Sequence, residues 1–256
     1  MSGSPEPRAT ARHLELLREL ALSDFRLKYE DSALGYAWSM LSPLLMLAIY
    51  YFVFRHVIGV TTPGYLVYLV VGIVYWTFFQ DCSYAGLNAL QGKAGVMKSI
   101  AVAPGLVVGG GVLSTFITLA INSVVLAAVL LAAGRLSPLA PLALLPIACL
   151  ALLASGTALL VAVAHVHFRD TGLVWGILLQ ALFWLTPVVY LVDGPLAELL
   201  YLNPLARCLY LIRWFLVYNY LPATRFIVIT VAACAAAFAL GVAVFRRRAR
   251  LIPELL

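Results

Sequence analysis

Charge is scarce in this chain. Only 11% of its 256 residues are Asp, Glu, Lys or Arg, against about a quarter in soluble domains. That excludes an ordinary water-soluble globule. With 64% hydrophobic residues and a mean hydropathy of +1.00, the chain is solvated mainly by lipid. Cysteine is scarce too. Cys82, Cys149, Cys208 and Cys234 lie far apart, without CxxC spacing, so neither a zinc site nor a disulfide framework is indicated. The first 30 residues are charged throughout and lack the apolar region of a cleavable signal. A nucleotide loop is missing as well. Gly86 and Gly92-Lys93 are one residue too far apart for a P-loop, and Ala94 stands where Ser or Thr would hold magnesium. Any ATP that drives this protein is hydrolysed on another chain.

Long apolar runs dominate what remains. Crossing a bilayer core takes roughly 20 apolar residues in a helix. Six segments qualify, near Leu34–Val57, Tyr65–Leu90, Leu106–Ala133, Pro141–Val166, Gly172–Val192 and Pro222–Phe245. A further region, 195–221, holds Glu198, Asn203-Pro204, Arg207 and Arg213, which suits one or two short helices at or dipping into the surface. The chain therefore reads as one six-span membrane domain, 34–256, behind a tail and amphipathic helix at 1–33. Basic residues set its orientation. The N-terminal segment, the 91–104 loop, Arg169 and the C-terminal tail carry twelve Lys and Arg, while the opposite face has five. Both termini are expected to be cytoplasmic. The net charge of +6 follows from that asymmetry and from anionic headgroups, without a nucleic-acid partner.

From Thr10 to Glu30, charged side chains cluster on one narrow helical face and leucines on the other, as in a helix lying in the membrane interface. Packing on a partner protein is the alternative. Aromatic rings run through the first span (Tyr50, Tyr51, Phe52, Phe54), the second (Tyr65, Tyr68, Tyr75, Trp76, Phe78, Phe79, Tyr84) and the fifth (Trp175, Phe183, Trp184, Tyr190), many of them too deep for a simple interfacial belt. Singly each reads as packing bulk; together they suggest a surface for stacking on sugar C–H faces. Gly105/Gly109 and Gly172/Gly176 have GxxxG spacing, and Ala232–Ala237 forms a small-residue face. His165 and His167 point to different faces of a helix end, which does not suit a metal. Asp81, well inside a span, has no obvious partner; it belongs to a pathway or to a hydrogen bond inside the bundle. Arg169-Asp170, between two spans, stops one helix and caps the next, or serves a sharper role.

Two motifs decide between those roles. Asp24-Phe-Arg-Leu-Lys-Tyr-Glu-Asp-Ser-Ala-Leu-Gly-Tyr-Ala-Trp-Ser-Met-Leu-Ser-Pro43 resembles the opening signature of ABC-exporter permeases for cell-surface polysaccharides, the O-antigen and teichoic-acid exporters, related to capsule exporters. Phe168-Arg169-Asp170 resembles that family's motif between spans four and five. Thr186-Pro187-Val-Val-Tyr190, Asn203-Pro204 and the terminal Glu254 also match. After the coupling segment, relatives carry aromatic-Pro-Arg; here Val102-Ala103-Pro104-Gly105 keeps only the proline.

The resemblance implies an all-α integral membrane protein with six transmembrane helices, an N-terminal amphipathic interface helix and short outer re-entrant gate helices at 195–221. It implies two copies of this chain with two separate ATPase subunits that hold ATP and magnesium, and no cofactor or metal in this chain itself. Lys93, Met97, Lys98 and Pro104, in the cytoplasmic coupling loop 91–104, and Arg169 and Asp170 would couple to the ATPase. The expected function is export of a lipid-linked glycan across the bacterial cytoplasmic membrane between two protomers, among membrane lipids. Trp38, Tyr50, Tyr51, Trp76, Phe79 and Trp184 would line the substrate path. Rival readings are an export permease for a capsule polymer, drug or small lipid, a membrane-embedded enzyme acting on lipid-linked sugars, and a channel that needs no ATP.

Overall fold

Tyr65–Gly92 (α3) is the helix around which the others pack, and its sequence shows why: Tyr68, Leu69, Val71, Tyr75, Phe78, Phe79 and Cys82 are buried on nearly every side. The structure, a computed structural model, describes residues 7–28, 35–95, 97, 102–192, 194–249 and 252. The other long helices are Pro7–Leu27 (α1), Pro104–Ala132 (α4), Leu144–His167 (α5) and Thr224–Arg248 (α9). Trp38–Phe52 (α2), Thr171–Trp184 (α6), Pro195–Leu200 (α7) and Pro204–Arg213 (α8) are shorter. No strand occurs among the described residues. The expected coupling residue Lys98, residues 29–34 of the first motif and the terminal acid Glu254 lie outside them.

Among the described residues, four stretches are long and apolar enough to cross a membrane: α3, α4, Ala140–His167 and α9. Two further apolar helices are shorter, Leu41–Val57 and Thr171–Trp184. The second of these ends eight residues before the expected Val192. Pro187 cannot donate a backbone bond and clashes with the preceding turn, so the chain leaves the helix at Leu185 and runs irregularly through buried Thr186, Pro187, Val188 and Val189. Fourteen residues span only about 21 Å.

Small residues let the helices approach, although the tightest contacts are not at the GxxxG pairs. A methyl on Gly86 of α3 would stand 2.4 Å from the Ala158 carbonyl oxygen, and one on Gly241 of α9 would stand 2.4 Å from that of Gly156. Gly156 in turn lies against Ala237 and Phe238, so the alanine-rich face of α9 is used. Gly105 and Gly176 keep ordinary contact distances, to Phe245 and Tyr84. Three cysteines separated in sequence converge where α5, α8 and α9 meet. The Cys208 and Cys234 sulfurs are 3.6 Å apart and Cys149 adjoins Cys234, all as free thiols.

The amphipathic helix α1 packs along α4. Ala21 is buried, and Leu17 and Leu20 lie over Gly109 and Gly110, where absent side chains admit a close approach. Two ion pairs tie it to α3. Asp24 holds the Lys93 ammonium at 2.6 Å and Lys28 reaches Asp81 at 2.8 Å. Asp81, expected to lack an obvious partner, is thus the acceptor of a pair whose members are 53 residues apart.

Candidate functional site

α3 and α6 run antiparallel, and each presents a stripe at i, i+3, i+4 and i+7 to the same cleft: Ile73, Trp76, Thr77 and Gln80 from α3, Gly176, Leu179, Gln180 and Phe183 from α6. Met46 and Tyr50 of α2 and Trp184 complete a cleft of about 280 Å³. Side-chain contacts fix the register. The Trp175 indole N–H donates to Ser83 Oγ at 3.1 Å, and the Trp76 and Phe183 rings meet edge to face at 5.2 Å. Phe183 also stacks on Tyr50 at 5.5 Å and meets Trp184 edge to face at 5.4 Å. One tier of the cleft is therefore aromatic. The next tier toward Gly92 carries the side-chain amides of Gln80 and Gln180.

Of the six aromatics expected along a path, Tyr50, Trp76 and Trp184 line this cleft. Phe79 is buried behind Trp76, with centroids 6.0 Å apart. Tyr51 is turned about 100° from Tyr50 around α2 and lies in a separate depression with Arg55 and Tyr65. Trp38 is exposed at the start of α2 and lines neither cavity. Sequence reasoning missed Phe183, Gln80, Gln180 and Thr77. The i, i+3, i+4, i+7 match between the two segments was the signal that could have found them.

A second constellation closes the bundle beyond the aromatic tier. Where α6 breaks, backbone carbonyls lose their helical partners, and side chains take them up. Arg213 donates to the Pro187 and Val188 oxygens at 2.7 and 2.8 Å. The Tyr68 hydroxyl serves Pro187 and Tyr190, each at 2.8 Å, while Tyr65 serves Val189 and Tyr190 serves Trp184. Such irregular backbone is tolerated at membrane depth only when buried in protein and satisfied there. The Arg213 guanidinium lies 3.5 Å over the Tyr68 ring. Asn203 caps α8 by accepting from the Leu205 N–H and donates to Thr186 Oγ1 at 2.8 Å. The Thr186-Pro187 and Asn203-Pro204 motifs, distinct in sequence, thus form one joint. Arg207 of α8 braces it against α9, bonding Thr230 Oγ1 and the Phe226 carbonyl.

At the opposite end, Gln91 Nε2 donates to the His165 carbonyl at 3.0 Å, joining the 91–104 segment to the last turn of α5, just before the turn that leads into α6. In that turn Phe168 is 71% exposed and Arg169 and Asp170 are exposed. Asp170 occupies the N-cap of α6, but its carboxylate makes no capping bond; Thr171 Oγ1 donates to the Phe168 carbonyl instead. Among the expected coupling residues, Lys93 is engaged with Asp24, Met97 is buried in a helical turn, and Pro104 opens α4. His167 Nδ1 lies 2.9 Å from the Val163 carbonyl. No group of three metal-ligating side chains occurs among the described residues.

The family model described as ABC-2 type transporter matches residues 15–217. The chain is similar to an O-antigen export system permease protein, RfbA, of Klebsiella pneumoniae, 24% identical over 197 residues, 75% of this chain and 76% of the relative. A second RfbA of that species is 25% identical over the same shares. The RfbA of Myxococcus xanthus is 28% identical over 177 residues, 68% of each chain.

Proposed function

The chain belongs to the ABC-2 type transporter family, and from that premise we propose that it is the permease subunit of an exporter that moves a lipid-linked polysaccharide across the bacterial cytoplasmic membrane. The relatives' names, O-antigen export permeases, support the substrate class. The cleft carries the reading: aromatic faces for sugar C–H surfaces stand one tier from amides that suit hydroxyls. Contacts of this kind are individually weak and numerous, which lets a polymer enter and also leave.

α2 and α6 flank the cleft and leave Leu45, Met46, Ile49, Leu173, Ile177 and Leu178 exposed. A second copy covers those faces and completes the path, so that cleft faces cleft. The Gly92 end of the bundle is cytoplasmic, as are both termini. Residues 34–256 make six crossings, with α2 and α6 as the two short ones; α7 and α8 form the outer gate. Two ATPase subunits, holding ATP and magnesium, dock on the 91–104 segment and on the exposed Phe168-Arg169-Asp170 turn. Their hydrolysis cycle shifts the balance between gate states through contacts that differ in each.

The test is ATPase activity of the chain co-purified with its genomically adjacent ATPase and reconstituted in liposomes, with and without lipid-linked glycan. Stimulation by the glycan is expected. A stable complex that responds to a drug or small lipid and ignores glycans would replace this reading with small-molecule export. Failure to bind an ATPase would end it.

A further inference from the structure

We propose that the cleft selects an uncharged, hydroxyl-rich polymer over a polyanionic one, with Gln80 and Gln180 as the residues that read its hydroxyls. The inference rests on the export reading above and names the substrate class within it.

All eleven residues lining the cleft are uncharged. The cations that approach this part of the fold are engaged elsewhere: Arg213 holds two carbonyls beyond the aromatic tier, and Lys28 pairs with Asp81. Asp81 follows Gln80 directly on α3, so the charge next to Gln80 along that helix is an acid already paired with Lys28. A phosphodiester or uronate entering here would leave bulk water without a cation to pair with among the described lining residues, and burying an unpaired charge is strongly unfavourable. A neutral sugar meets no such opposition.

The amides supply the positive half of the selection. A side-chain amide donates through its nitrogen and accepts through its oxygen, the same two capacities that a sugar hydroxyl has. Neither the Gln80 nor the Gln180 side chain bonds to another described residue, although Gln80 is only half-exposed. The antiparallel register set by Trp175 on Ser83 and Phe183 on Trp76 places these two glutamines at the same level on facing helices. A pyranose stacked on Trp76 or Trp184 therefore has amides within the next residue's length along the polymer. Gln180 is exposed and Thr77 half-buried, so the pair borders the space that a moving chain occupies.

The experiment uses the complex with its ATPase in liposomes and two probes on one carrier. The first is a polyprenyl diphosphate bearing a neutral mannose homopolymer, the second the same carrier bearing poly(glycerol phosphate). The neutral probe is expected to stimulate ATP hydrolysis at a concentration at least about tenfold lower, the factor that one lost polar contact produces. Gln180→Leu should raise the neutral probe's half-stimulating concentration by roughly the same factor. Gln180→Lys, at an exposed position that tolerates substitution, should move the preference toward the anionic probe. Equal or stronger stimulation of the wild-type complex by poly(glycerol phosphate) would overturn the selection and leave export intact. An unchanged preference in Gln180→Lys would remove Gln180 from the role. Stimulation by neither probe would bring down the export reading and this inference with it.

Discussion

The cleft and the joint beyond it use similar side chains for opposite ends. Around the break in α6, the Arg213 Nη atoms, Tyr65, Tyr68 and Asn203 are directed at backbone or at Thr186, and Arg213 Nε is the one of these groups buried without a partner among the described residues. In the cleft, Gln80 and Gln180 bond to no described neighbour, and Trp184 is 53% exposed. Satisfied polar groups in a low-dielectric interior rigidify, because each broken bond leaves an orphan. Unsatisfied groups at the rim of a cavity await a visitor. Proximity along the chain does not separate these roles, since Trp184 and Pro187 are three residues apart.

Substitutions should follow that division, beginning with the largest effect. Arg213→Ala strips the Val188 carbonyl of its donor and leaves Pro187 with the Tyr68 hydroxyl alone, and should lower stability by about 3–5 kcal/mol, read as a large drop in Tm in detergent. An unchanged Tm would erase the contrast between the regions. Asn203→Ala removes both the α8 cap and the bond to Thr186 and should cost about 1–2 kcal/mol in the same assay. Lys28→Ala breaks a half-exposed pair, for which about 1 kcal/mol or less is expected, with the difference from wild type shrinking as salt is raised. Trp184→Ala should shift stability by only about 0.5 kcal/mol, yet weaken stimulation of the partner ATPase by lipid-linked glycan. If Trp184→Ala melts the fold as Arg213→Ala does, the ring belongs to the joint and not to the cleft.

The long helices α3, α4, α5 and α9 were legible because length and hydrophobicity are local properties. The end of α6 was misjudged because residues 185–192 are as apolar as a helix interior, and only Pro187 marks the break. Its carbonyls are satisfied by Arg213 and by tyrosines near residue 65, partners that no sequence window contains. The same limit hid Lys28 from Asp81 and brought three scattered cysteines together. Within the cleft, aromatic character singled out Tyr50, Trp76 and Trp184. The rotation of α2, which no sequence window gives, puts Tyr51 in a different depression from Tyr50, and the level that Gln80 and Gln180 share follows only from the register of α3 against α6.

At Gly156 and Gly241, α5 and α9 touch backbone to backbone. No side-chain rotamers stand between them to rearrange, and either helix sliding past the other by one residue would drive a Cβ into a main-chain carbonyl. The pair is therefore the most tightly interlocked part of the bundle, while α6, with only Leu179 and Phe183 buried along it, is among its most lightly seated helices.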